Sequence, residues 1–129
     1  MHKRMMIIGC VIAAISVALG AMGAHLLEKY LSEKMLKVFE TSARYQMYHS
    51  IAIVICGLLY MHHQQQQILI AYKFFLFGIL LFSGSLYTLA LLSMQQNTTF
   101  NFIGAITPIG GICFMLGWLY LALGLSKMK

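Results

Sequence analysis

Four long apolar runs, none of them holding a carboxylate, constrain this chain more than any other feature. They cover about residues 5–27, 45–61, 68–94 and 100–125. A helix needs roughly 20 predominantly apolar residues to cross ~30 Å of hydrocarbon, so each run reads as a membrane span. Soluble domains average about 45–50% apolar and about 25% charged residues. Here 60% of the 129 residues are hydrophobic and 9% are charged, more apolar surface than one small domain can bury. Lipid must be the solvent for much of the surface. Intrinsic disorder, a disulfide scaffold and a soluble enzyme are excluded together. The net charge of +6 does not point to nucleic acid. The basic residues flank apolar runs, as membrane-surface anchors do, instead of gathering into one patch.

The reading is an all-α integral membrane four-helix bundle, a single domain over residues 1–129. The first run follows His2-Lys3-Arg4 and is too long for the apolar region of a signal peptide. Too few apolar residues precede Cys10 for a lipoprotein signal. Residues 28–44 hold all three acids, Glu28, Glu33 and Glu40, with four of the nine lysines and arginines. Leu31, Met35, Val38 or Phe39, and Ala43 recur at helical spacing opposite Glu33, Lys37, Glu40 and Arg44. That pattern predicts an amphipathic interfacial segment between helices 1 and 2 that runs on into the second span. The short turn at His62–Gln67 makes its neighbouring spans antiparallel. Gln95–Thr99 forms the next loop. Thr107-Pro108 marks either a kink in a continuous fourth helix or an N-cap with its first helical residue, and we favour the kink.

Lipid supplies no hydrophobic force between helices, so small residues mark close contacts. Ser16, Gly20 and Ala24 recur every fourth residue on the first helix, and Gly84 lies between two serines on the third. Gly110, Gly117 and Gly124 recur every seventh on the fourth, the spacing of a left-handed seam. With both termini on one side, five basic residues stand against four, which predicts cytoplasmic termini.

Polar groups inside a membrane are costly, and each is a candidate functional residue. His25 closes the first span. Tyr45, Gln46 and His49 share a face near the start of the second. Ser85, Tyr87 and Thr88 lie late in the third, and Thr107 lies early in the fourth. Four antiparallel spans put all of them in one half of the bilayer and predict a common cluster. A channel or proton relay needs polar groups along its whole path, so a one-sided cluster fits a pocket or a hydrogen-bonded core better. Imidazoles at His25 and His49 suit haem or metal, but hydrogen bonding across helices is the commoner role of a membrane histidine. Cys10, Cys56 and Cys113 fall on separate helices and read as apolar fillers. His62-His63 reads as a solvated pair. No Gly-x-Ser-x-Gly is present, and no aspartate exists to complete a triad with Ser83 or Ser85.

Gly20-Ala21-Met22-Gly23-Ala24-His25, Tyr45-Gln46-Met47-Tyr48-His49, Phe82-Ser83-Gly84-Ser85-Leu86-Tyr87 and Thr107-Pro108-Ile109-Gly110-Gly111 with Gly117-Trp118 run along the chain, one motif per span. In order and spacing the chain resembles the YgdD/YwdK family (DUF423) of small four-span bacterial plasma-membrane proteins. Met22 stands where that family usually has phenylalanine, an apolar exchange. The resemblance implies architecture and location, and it carries over no catalytic residue or cofactor. The expected function is therefore a non-enzymatic accessory or structural membrane protein, with the lipid bilayer as solvent and a homo-oligomer or a membrane-protein partner open. The alternatives are a binding site for a lipid, quinone or haem in one leaflet, and a small-solute transporter.

Overall fold

The computed structural model describes residues 1–95 and 101–128, so the expected loop beyond Gln95 lies outside the described residues. Four long helices account for almost all of it: α1 (His2–His25), α2 (Glu33–His62), α3 (Gln66–Ser93) and α4 (Asn101–Ser126). A short 3-10 turn, Leu27–Lys29, links α1 to α2. The protein is an all-α membrane helical bundle. α1, α3 and α4 (from Phe102) are each long and apolar enough to cross a membrane.

α2 starts where its chemistry directs. Ser32 is extended, and its Oγ accepts the Met35 N–H at 3.3 Å, with Glu33 in the first turn. The amphipathic segment is the first part of this one 30-residue helix. Its apolar side, Phe39 and Ala43, is buried, while Lys37, Glu40 and Arg44 are exposed. The α2–α3 turn needs only residues 63–65, because both helices extend into the predicted polar linker.

α1 lies along α2 and α4 along α3, while α2 and α3 meet in the middle. The α3–α4 interface is a matched heptad. Ile68, Phe75 and Phe82 ascend α3 as Gly124, Gly117 and Gly110 descend α4, with the Ile68 and Phe75 side chains and the Phe82 backbone each taking the space beside one glycine. A Cβ on Gly117 would meet the Phe75 ring at 2.6 Å, and one on Gly124 would meet Ile68 at 2.9 Å. A Cβ on Gly110 would run into the Phe82 backbone. Gly78 reverses the arrangement by receiving Phe114 from α4.

The α1–α2 seam also has a period of seven, and here the expected four-residue row is corrected. Gly9, Ser16 and Gly23 face α2, against Val54 and the Ser50 carbonyl, the Ala43 carbonyl, and Phe39 respectively. Nothing lies within 4 Å of a Cβ on Gly20, and Ala24 is exposed. Each step of four turns about 40° around a 3.6-residue helix, whereas each step of seven drifts only about 20°. The four-residue row therefore leaves the interface after Ser16. Gly84 on α3 likewise has nothing within 4 Å of a Cβ.

Two details position the site. α4 is continuous through Pro108, and the Thr107 hydroxyl bonds to α3, not to its own helix start. α3 contains a π turn, Ile79–Ser83, which nothing in the apolar pattern signals. The wider turn re-phases the helix so that Phe82 meets Gly110 on α4 while Ser83 meets Ser42 on α2.

Gly117→Leu should destabilise the bundle by at least the ~1–3 kcal/mol typical of overpacking, since Phe75 occupies the space. Gly84→Ala should be neutral or gain up to about 1 kcal/mol of helix propensity. Thermal melting of both variants in one detergent checks the contrast, and equal melting points would reject the seam.

Candidate functional site

Among the described residues, Gln46 is the polar side chain whose hydrogen bonds join three helices. It is 5% exposed on α2, and its Nε2 donates to the Ile12 carbonyl of α1 at 3.0 Å. The Tyr87 hydroxyl of α3 donates to its Oε1 at 2.9 Å. One amide thus joins three helices. A turn away, Ser42 Oγ donates to the Ser83 carbonyl at 2.7 Å and Ser83 Oγ returns to the Ser42 carbonyl at 3.0 Å. The Phe39 ring meets the Tyr87 ring edge-on at 4.9 Å and closes this unit.

A second unit joins α3 to α4. Ser85 Oγ donates to the Phe82 carbonyl at 2.9 Å, which leaves the Thr107 hydroxyl to donate to Ser85 at 2.7 Å. Thr88 turns back on the Gly84 carbonyl of its own helix.

His49 forms the third unit. Its Nδ1 lies 2.7 Å from the Tyr45 carbonyl, which only accepts, so Nδ1 carries the proton. Nε2 then accepts from Trp118 Nε1–H at 3.3 Å. The imidazole lies flat on Phe114, centroids 3.4 Å apart and planes 6° from parallel. Both ring nitrogens are satisfied in the neutral form. Beside this stack an outward-opening groove of about 420 Å³ runs between α2 and α4, lined by Tyr45, Tyr48, His49, Gly111, Phe114, Met115 and Trp118.

The predicted common cluster is therefore three separate units. Gln46 with Tyr87, Ser85 with Thr107, and His49 with Tyr45 each pair locally. His25 joins none of them and is exposed at the end of α1. It follows Gly23 by two residues, about 200° around the helix from the row that faces α2. The set also reaches the middle of the bundle, because Gln46 lies opposite Ile12, halfway along α1. The sequence places His49 one turn inside the membrane, but α2 begins at Glu33 and already runs beside the second half of α1.

Sequence reasoning missed the roles of Trp118, Phe114, Ser42 and Ser83. Ser42, Gln46 and Ser50 recur every fourth residue, a signal for one polar row, and Ser50 Oγ indeed donates to the Gln46 carbonyl at 2.6 Å. No feature of the sequence pairs His49 with Trp118, 69 residues away.

The buried serine hydroxyls and that of Thr107 donate to carbonyls or to each other, and His49 faces a carbonyl and an indole. No hydroxyl or thiol among the described residues is paired with an imidazole in the manner of an activated nucleophile. No group of three potential metal ligands occurs among the described residues.

The model of a protein family of unknown function, DUF423, matches residues 19–111, which hold most of these units. The chain belongs to the DUF423 family. It is similar over nearly its whole length to curated relatives named UPF0382 membrane proteins. One from Staphylococcus saprophyticus is 43% identical, covering 98% of this chain and 99% of the relative. YwdK of Bacillus subtilis is 35% identical, with 97% and 98% covered. A Haemophilus influenzae relative is 43% identical over 88% of this chain and 86% of its own. No solved structure matches. The matched DUF423 region ends at Gly111, so it includes Gln46, His49, Ser85, Tyr87 and Thr107 but not Trp118.

Gln46→Leu should lower the melting temperature more than Tyr87→Phe, because it removes the bonds to both α1 and α3 and strands the tyrosine hydroxyl. A double-mutant cycle between the two positions should give a coupling of about 0.6–1.7 kcal/mol. Zero coupling would show that the bond between Gln46 and Tyr87 contributes nothing to stability.

Proposed function

We propose that this chain is a non-enzymatic, multi-pass plasma-membrane protein, an accessory or structural subunit whose polar side chains lock four spanning helices together. The observation that carries this reading is Gln46, whose two polar ends are both used to tie α1 and α3 to α2. The rest of the polar inventory supports it, since no buried side-chain nitrogen or oxygen among the described residues lacks a hydrogen-bond partner. Transport through the bundle would need polar groups free to meet a solute along the path, and these are spent on packing. α2 crosses with the others in this reading, because it lies along α1 and α3. Both termini are cytoplasmic, following the excess of basic residues on their side.

A second reading is favoured by one observation, the aromatic groove beside His49. Its flat walls and the exposed Tyr45 and Tyr48 at its edge suit a membrane-soluble ring with an oxygen acceptor, such as a quinone, or a lipid. Haem ligation at His49 would require Nε2 to give up Trp118.

Trp118 is the sole tryptophan and lines the groove, so its fluorescence reports on occupancy. Under the structural reading, a short-chain quinone titrated into protein in nanodiscs should give no saturable quenching, and His49→Ala should lower the melting temperature. Saturable quenching that Tyr48→Ala abolishes, with the fold intact, would replace that reading with the binding site. Reporter fusions at the C-terminus, active only outside the cytoplasm, should be silent.

A further inference from the structure

Among the described residues, only the exposed face of α2 carries charges of both signs within a helix, whereas α3 exposes a single lysine, Lys73. On α1 and α4 the outward residues at mid-helix are apolar: Val11 and Ile15, Ile112 and Leu119. On α2, Lys37, Glu40 and Arg44 point outward. With α2 crossing as proposed, Lys37 lies near the end of α1, since Phe39 two residues on packs against Gly23, but Glu40 and Arg44 lie deeper. Arg44 directly follows Ala43, whose carbonyl takes the Ser16 bond, and Gln46 two residues on reaches Ile12. Arg44 is thus level with the middle of α1, and Glu40 is one turn from it. Lysine near a helix end reaches the interface by its long stem, but a carboxylate and a guanidinium this deep cannot be left against lipid tails.

The stripe they belong to continues along the whole helix. Lys37, Arg44, Ile51 and Leu58 recur every seventh residue, with Glu40, Tyr48 and Ile55 between them, and all seven are exposed. This stripe lies opposite Gln46, about 160° around α2 from it at Arg44. A seven-residue repeat is the pattern of a helix packing on a parallel helix in a left-handed coil, and a polar residue in such a seam sets its register.

We infer that a second copy of this chain covers this stripe, giving a twofold homodimer with α2 against α2. Copies inserted the same way share an axis along the membrane normal, so each residue meets its own equivalent. Directly facing equivalents carry like charge, so the contact depends on the offset pairs between neighbouring positions. Glu40 of each copy lies within one turn of Arg44 of the other, and the two opposite pairs neutralise each other away from lipid. Ile51, Ile55 and Leu58 supply the apolar half of the contact, and Tyr48 stands at the junction.

Cysteine crosslinking of the full chain in native membranes tests this directly. In a background with Cys10, Cys56 and Cys113 replaced by alanine, Ile51→Cys and Leu58→Cys should form disulfide dimers on oxidation. Val11→Cys on α1 and Leu119→Cys on α4 should stay monomeric. Adding Glu40→Lys should remove the Ile51→Cys dimer band, and the exchange Glu40→Arg with Arg44→Glu should restore it. If the charge variants do not accumulate, the four cysteine positions with native charges decide alone. Equal crosslinking at all four positions, no dimer at Ile51→Cys and Leu58→Cys, or a heavier adduct with a different protein would each overturn the homodimer.

Discussion

In hydrocarbon, a backbone carbonyl or a side-chain amide has no water to fall back on, and the bundle is organised around meeting that demand from within. Gln46 shows how far one residue can serve it. Its amide hydrogen takes up a carbonyl on α1 and its oxygen takes up a hydroxyl on α3, so the α1–α2 hairpin and the α3–α4 hairpin are joined through a single side chain. The reciprocal serines a turn away, Ser42 and Ser83, repeat the device with two carbonyls and two hydroxyls.

Those bonds reach only because the helices approach closely, and small residues permit that. Gly9, Ser16 and Gly23 open α1 to α2, while Gly110, Gly117 and Gly124 open α4 to α3. The phenylalanines that fill the glycine spaces turn close approach into interlocking, which gains dispersion contacts that lipid chains would supply less densely. The π turn belongs to the same scheme. By widening one turn, α3 presents consecutive residues, Phe82 and Ser83, to two different neighbours.

Between α2 and α4, whose backbones do not pack closely, the contact is made by rings. The flat stack of His49 on Phe114, edged by Trp118, leaves a groove instead of a glycine seam. The family resemblance and the curated relatives agree with a membrane protein and attach no chemistry to this groove. Its character follows from geometry: both imidazole nitrogens are engaged, and any ligand beside the ring would meet aromatic faces and tyrosine hydroxyls.

The sequence by itself determined the solvent and the class of fold. Apolar runs without carboxylates require lipid, and runs of that length in water-free surroundings require helices. The Gly110, Gly117 and Gly124 row was legible because a strict period of seven holds a residue on one face. The row Ser16, Gly20 and Ala24 misled because a period of four rotates away, and the true partner row depends on how α2 crosses α1. The single polar cluster misled for a related reason. Depth along a helix can be counted from its ends, but α2 starts at Glu33, well before its apolar run, and packs along α1 from there, which moves Gln46 and His49 to mid-bundle. Which polar groups pair is a matter of rotation and of side-chain reach across helices. Only the tertiary structure decided that Gln46 would take Tyr87, that Ser85 would take Thr107, and that His49 would take a tryptophan far along the chain while His25 faced outward.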